Sequence, residues 1–252
     1  MAALAVVNPP VALVLAGSRG GVDPVAEHAG VTDKALAIVG DETMLARVVA
    51  ALRGAGIERI AVAANDKLRS ETERLGVEHL PAAGGPSASA AAALAIVGTP
   101  LLVTTADHAL LRPAWVTEFI AAVPPHADVA VLLARREAVE AAAPGSVRTY
   151  LRFADGDWSG CNLFLLASER ADAAVRLWQS VEADRKRPWR IVRRLGPGLL
   201  IRYLLGRLSL ADAVAALGRR AGVTAAVVAA RDGLAAVDVD KPADLQFVRA
   251  RA

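Results

Sequence analysis

The chain has 252 residues, enough for one large α/β domain with a full core. Its 29 Lys and Arg against 26 Asp and Glu leave a formal charge of +3, too small an excess to argue for nucleic acid, and a lone cysteine, Cys161, excludes an internal disulfide and any cysteine-rich zinc site. Residues 1–10 carry no basic region ahead of an apolar stretch, and the apolar run 11–16 is too short for a signal or a membrane span, so the expected setting is a reducing cytoplasm.

Short β-rich runs alternate with longer helical patterns from the start, which predicts a three-layer α/β/α fold with a mainly parallel central sheet. The expected strands are 11–16, 59–64, 101–105, 129–134, 147–153, 162–166 and 225–230; the expected helices are 44–55, 87–97, 113–123 and 169–183. Pro113 suits a first helical turn, while Pro24, Pro81, Pro86, Pro144 and Pro197 read as loop punctuation. After residue 166 the strands give way to helical sequence as far as about 221, read as an insertion within a single domain spanning 1–252. One more strand, and a strand tail over 237–240 leading into a terminal helix, complete the chain.

Three segments carry candidate chemistry. The first strand ends in Leu15, Ala16, Gly17, Ser18, Arg19, Gly20 and Gly21, and the loop beyond reaches Lys34. Glycines directly after a strand let backbone N–H groups approach phosphates, with Arg and Lys adding charge; the same glycines also fit an ordinary strand-to-helix turn. A Gly-Lys-Ser/Thr ending and Gly-x-Gly-x-x-Gly spacing are both missing, which excludes a P-loop and a dinucleotide fingerprint. The second segment, Leu-Leu-Val-Thr-Thr-Ala-Asp over 101–107, delivers Asp107 to a strand end, as a magnesium ligand or as a helix N-cap. The third is Val-Asp-Val-Asp-Lys-Pro-Ala-Asp-Leu over 237–245, in which Asp244 fits a first-turn helix charge.

The Leu-Ala-Gly opening with its downstream Arg and Lys resembles the MobA-like NTP transferases, the molybdenum-cofactor-type and sugar-phosphate nucleotidyltransferases of the GT-A-like fold. The 237–245 segment is similar to the Asp-x-Asp-Thr-Pro-Glu-Asp-Leu signature that closes many members, with Lys241 in place of Thr. The resemblance implies that Leu15, Ala16, Gly17, Ser18, Arg19 and Lys34 wrap the triphosphate, with Arg19, Lys34 and Asp107 in the catalytic group. It also implies that Asp107 and Asp240 hold Mg2+, with Asp238 as the alternative to Asp240. Gly84, Gly85, Pro86, Ser87 and Ser89 resemble the segment that contacts base and sugar, although Ser87 would equally cap a helix. Gly160 and Asn162 resemble the family's Gly-x-Asn element beside the acceptor, or a plain turn.

The activity implied is transfer of NMP from an NTP, CTP or GTP favoured, to a phosphorylated acceptor with release of pyrophosphate. A GT-A-type glycosyltransferase would normally show Asp-x-Asp at the strand end, where this chain has Asp107, His108 and Ala109. A nucleotide-binding protein without catalysis is the other alternative. No Gly-x-Ser-x-Gly elbow supports a serine hydrolase. Outside these motifs, 185–207 joins basic residues and Trp189 to a leucine-rich run, suited to peripheral contact with an anionic membrane surface or to a solvated face beside a core helix.

Overall fold

A computed structural model describes residues 9–17, 21–146, 148–183 and 196–252. In chain order these form β1 (Val11–Ala16), α1 (Pro24–Ala29), β2 (Ile38–Val39), β3 (Glu42–Thr43), α2 (Met44–Gly54), β4 (Ile60–Ala64), α3 (Arg69–Leu75), β5 (Glu78–Pro81), α4 (Pro86–Val97), β6 (Leu101–Thr105), α5 (Pro113–Ala122) and β7 (Val129–Arg135). There follow α6 (Arg136–Ala142), β8 (Leu151–Phe153), β9 (Gly156–Leu166), α7 (Ala171–Ala183), α8 (Pro197–Leu204), α9 (Leu210–Ala221), β10 (Ala225–Ala229) and α10 (Pro242–Arg249).

The main sheet runs β10-β7-β9-β6-β1-β4-β5, with β8 added to β9. Ladders between β6, β1, β4 and β5, and between β7 and β10, are parallel, whereas β9 runs antiparallel between β6 and β7. The C-terminal ends of the parallel strands therefore share one edge, the edge at which β9 begins.

Strand β1 shows why the layers form. Ala12 and Val14 face one core while Leu13 faces the other, all without solvent exposure. Such a strand, apolar on both faces, is stable only between two helical layers. One layer contains α2, whose Met44, Leu45, Val48, Val49 and Leu52 are buried, each large aliphatic side chain contributing about 1.5–3 kcal/mol relative to exposure. Thr43 caps that helix by accepting from the Ala46 amide at 3.0 Å. Helices α2 and α5 approach so closely that a Cβ on Gly54 would lie 2.8 Å from the Pro113 ring. The other layer pairs α4 with α7 over Leu13, Leu80 and Leu101.

Several expectations shift. The expected strand 147–153 shrinks to β8, because Arg148 is held by carboxylates of the C-terminal segment rather than by a ladder; Val147 lies outside the described residues. Strand β9 is longer than 162–166 and includes the Gly160–Asn162 turn as an irregularity in its pairing with β7. No strand forms over 237–240: a 3-10 turn, Gly233–Ala236, leads into extended backbone tied at the sheet edge by one main-chain hydrogen bond, from the Val239 amide to the Asp107 carbonyl (3.0 Å). Pro24, Pro86 and Pro197 occupy first helical turns, where a missing N–H costs nothing, and Pro81 ends β5, rather than lying in loops. No described helix is long and apolar enough to cross a membrane.

Candidate active site

The candidate site lies at the shared edge. Lys34 is set there by its neighbour: buried Asp33 accepts from the Ala35 amide (3.0 Å), capping the short 3-10 turn Lys34–Leu36, and takes a further bond from the Asn65 carboxamide (3.2 Å) at the end of β4. From this base the Lys34 ammonium donates to Asp107 Oδ2 at 2.7 Å and to the Val239 carbonyl at 3.2 Å, and it stands 3.5 Å from Asp240 Oδ1. Asp107 Oδ1 accepts from the Thr105 hydroxyl at 2.5 Å. Two acids far apart in sequence thus converge on one cation. Burial would lower the Lys34 pKa, but Asp107, through charge and hydrogen bond, and then Asp240 and Asp23 outweigh it and hold the ammonium above its ordinary value.

Asp238 forms the second half of the cluster. Its carboxylate accepts from Asn162 Nδ2 (2.9 Å) and from Arg148 Nη1, which also reaches the Asp238 carbonyl (3.0 Å). The other Arg148 nitrogen, Nη2, donates to Asp244 Oδ1 at 3.0 Å. Burial, with the negative charges of Asp107 and Asp240, pushes the Asp238 carboxyl up to about 6, against the opposing pull of Arg148 and Asn162. Asn162 has φ 48°, the only positive value among the described non-glycine residues, and it sits where β9 is irregular. Asp244 accepts from the Asp240 and Lys241 amides (3.2 and 3.0 Å), so it secures the first turn of α10, the role its place in the sequence indicates.

The structure therefore brings Lys34, Asp107, Asp238, Asp240 and Asn162 together. Leu15 and Ala16 form the end of β1, the Leu15 carbonyl accepting from the Ala106 amide (3.0 Å), and so place exposed Gly17 beside the turn that carries Asp107. Gly17 has no need of glycine's backbone freedom, and among the described residues a Cβ there would meet only Ala82, at an ordinary 3.5 Å. Gly160 likewise faces open space. Ser18 and Arg19 lie outside the described residues. His108 is 1% exposed, packs on Trp115 with ring centroids 6.1 Å apart, and is pushed down to about 4 by burial. It is a neutral core residue.

The base-side segment departs from the capping reading. Gly85, not Ser87, is the N-cap of α4. The Ser87 hydroxyl donates to Glu182 of α7, whose Oε2 also accepts from the Ser87 amide (3.2 Å), and the Ser89 hydroxyl accepts from the Ala83 amide (2.9 Å). Sequence reasoning missed Arg148, Thr105 and Glu182. Thr105 stands two residues before Asp107, whereas Arg148 belongs to no motif and shares the run 146–153 with Arg152, so the sequence does not single it out.

Burial first, and then the charges of Asp107 and Asp240, raise the Asp238 carboxyl. Among the described residues no group of three or more His, Cys, Asp or Glu could hold a metal ion by itself. Asp107 and Asp240, which both approach Lys34, offer two carboxylates, the number that magnesium takes where water and substrate phosphates complete its shell.

Among solved structures, a hypothetical transferase from Thermus thermophilus is 34% identical, with a TM-score of 0.80 over 94% of this chain and 99% of that one. A nucleotidyl transferase from Methanothermobacter is 18% identical (TM-score 0.56, 97% of each chain), and a CMP:2-keto-3-deoxy-manno-octonic acid synthetase complexed with CTP is 17% identical (TM-score 0.56, 96% and 98%); at such identities the likeness is one of fold. Curated proteins give no match. The MobA-like NTP transferase domain matches residues 12–234, and the chain belongs to that family of nucleotidyltransferases.

Proposed function

We propose that the chain transfers NMP from an NTP, CTP or GTP, to a phosphorylated small molecule or lipid head group in the cytoplasm, releasing pyrophosphate in a magnesium-dependent reaction. The observation that carries this reading is the meeting of Asp107 and Asp240 around the Lys34 ammonium, next to the bare backbone of Gly17. An acceptor phosphate monoester, with a second pKa near about 6, is already largely dianionic at neutral pH, so no general base is needed. One of its oxygens attacks the α-phosphorus; the bond from that phosphorus to the bridging oxygen breaks, and pyrophosphate leaves with the electron pair.

The protein's task is alignment and neutralisation of charge. Lys34 would face the phosphates, with Arg19, which lies outside the described residues, as the further cation that the sequence supplies. Asn162 and Gly160 border the acceptor side, and Asp107 and Asp240, with Asp238 as the alternative, would hold Mg2+. When bound, the metal supplies positive charge to the phosphate oxygens. Ala109, buried and without a ligand atom, stands where an Asp-x-Asp pair would place its second carboxylate, which disfavours a glycosyltransferase of that kind at this strand end.

Screening four NTPs against a panel of phosphorylated acceptors for pyrophosphate release tests the reading. Turnover with one pair supports it. Consumption of a nucleotide sugar instead, or NTP binding without turnover by any acceptor, argues for one of the alternatives.

A second reading concerns location. On and just after α8, Ile201, Tyr203, Leu204 and Leu205 are exposed, Leu204 at 72%, beside Arg202. We assign this face to peripheral contact with an anionic membrane at the inner face; the basic run 185–194 that precedes it in sequence lies outside the described residues. Flotation with anionic vesicles at low salt should carry the protein upward, and a protein left at the bottom rejects the assignment.

A further inference from the structure

The two strands at one end of the sheet, β10 and β7, alternate their side chains between two faces that are covered unequally. On one face Leu133 and Val227 pack with Leu210 and Val214 of α9. On the other, Leu132 and Val228 face α5 and the 3-10 turn Gly233–Ala236, and a cavity of about 350 Å³ is left between them. Its walls are apolar: Leu132 and Val228 from the sheet, Trp115 and Phe119 from α5, and Ala235 from the turn. Such a volume suits a small molecule that joins an apolar body to a few placed polar groups. None of Lys34, Asp107, Asp238 and Asp240 lines it, so it is separate from the candidate active site.

The charges at this cavity fall into a satisfied pair and an unsatisfied one. Arg112, the residue before α5, lies over the Trp115 ring, 5.0 Å from its centroid, and donates to Asp232 Oδ2 at 3.1 Å; Asp232 Oδ1 accepts from the Leu234 amide at 2.9 Å. Asp232 is thus engaged through both oxygens. Glu118 of α5 and Arg231 also line the cavity, both exposed, yet neither has an ion pair or a side-chain hydrogen bond among the described residues, and they do not reach each other.

We propose that this cavity binds a free α-amino acid with a large apolar side chain. The side chain lies against Trp115, Phe119, Leu132 and Val228, the carboxylate takes the Arg231 guanidinium through two parallel hydrogen bonds, and the ammonium donates to Glu118. A molecule of net charge meets either Glu118 or Arg231 as a like charge, and a like charge at the rim discriminates against it. An apolar body bearing one ammonium and one carboxylate satisfies both. Because both partners stand at the exposed rim, the charged end of the amino acid stays near water while its side chain leaves it, which is where the hydrophobic gain arises. The assignment is independent of the transferase reading, and either can fail without the other.

The test is isothermal titration of the full chain with L-phenylalanine, L-leucine, 3-phenylpropionate and phenethylamine. Both amino acids are expected to bind, and the two analogues, each lacking one charged group of phenylalanine, should bind at least about 10-fold more weakly than it does, the loss expected for one hydrogen bond to a charged group. Glu118→Gln and Arg231→Gln, at exposed positions with no partner to lose, should leave the circular dichroism spectrum unchanged and each weaken phenylalanine by about 10-fold or more. Glu118→Gln should leave 3-phenylpropionate, which has no ammonium, no weaker than before. Ala122→Trp, which fills the cavity from its exposed rim, should abolish binding. Failure of both amino acids to bind at millimolar concentrations overturns the proposal. So does equal affinity for phenylalanine and its two analogues, which would make the cavity an apolar one only, and so does binding that survives Ala122→Trp, which places phenylalanine elsewhere. If Ala122→Trp does not fold, the two Gln variants decide, and unchanged affinity in both overturns the proposal.

Discussion

Replacing Asp238 by Asn should make the protein more stable at neutral pH while impairing the site. In the folded chain the Asp238 carboxyl is raised to about 6 from an ordinary 3.8, because burial and the neighbouring Asp107 and Asp240 together outweigh Arg148 and Asn162. Between these two values the folded protein holds a proton that the unfolded chain has released, so stability declines as pH rises through the window, and above it the full cost is present. At about 1.4 kcal/mol per pH unit the displacement corresponds to about 3 kcal/mol, an upper figure because water still reaches part of the side chain. Asn carries no charge and can still accept from Arg148 and Asn162. Urea unfolding of both proteins, followed by far-UV circular dichroism from pH 4 to pH 8, should give curves that coincide near pH 4 and part by about 2–3 kcal/mol above pH 6, with the variant the more stable. Magnesium should narrow the gap by stabilising the wild type, since a cation at the carboxylates offsets the same repulsion. A difference that is constant with pH, or a wild type more stable at pH 7, would refute the claim that these three acids are held together at a cost.

The remaining predictions bear on the supports of the site. Lys34→Ala or Asp107→Asn should lower pyrophosphate release by at least about a hundredfold under saturating substrates, the loss seen when one electrostatic stabiliser is removed; near-normal release by either would undo the assigned roles. Arg148, with 6% of its side chain exposed and bonds to Asp238 and Asp244, should on replacement by Ala cost about 3–5 kcal/mol in chemical denaturation, because it leaves buried carboxylates unpaired. Arg148→Lys should recover little of this, since one ammonium cannot span both acids. Gly233→Ala would place a Cβ 2.1 Å from the Ala138 carbonyl oxygen. Differential scanning calorimetry should show a loss of about 1–3 kcal/mol or more, as in other overpacked sites, and an unchanged transition would mean that the turn before Val237 moves freely.

The sequence announced the sheet more clearly than its edges. Strands such as β1 and β6 are apolar on both faces and end in Gly17 or just before Asp107, so their identity and their functional ends could be read together. Lys34, Asp107 and Asp240 were recognisable because each belongs to a short motif with a chemical rationale. Strand β5 was missed, because Glu78, His79 and Pro81 mark an edge strand that needs only one apolar contact, Leu80. Arg148 and Glu182 were missed for a different reason. Their partners lie 90 or more residues away, and no local pattern marks a charge whose purpose is set by tertiary neighbours. The same holds for Asn162: a positive φ cannot be inferred from Cys-Asn-Leu, although a Gly-x-Asn run hinted at a turn.

The hydrogen bond from Val239 to Asp107 bears on how such proteins assemble and diverge. Every described sheet strand is in place by residue 229, and beyond the Ala230 amide, which bonds the Leu133 carbonyl of β7 at 2.8 Å, the tail adds nothing to the ladders. It brings Asp238 and Asp240 to a platform already built, and because the clasp is main chain to main chain, side chains on either side can change without shifting the alignment. The same tail also buries Val237, Val239, Leu245 and Val248 in the core, so a chain cut after β10 should lose stability along with its chemistry, whereas a descendant could retire the reaction, or acquire another, by rewriting Asp238 and Asp240 alone.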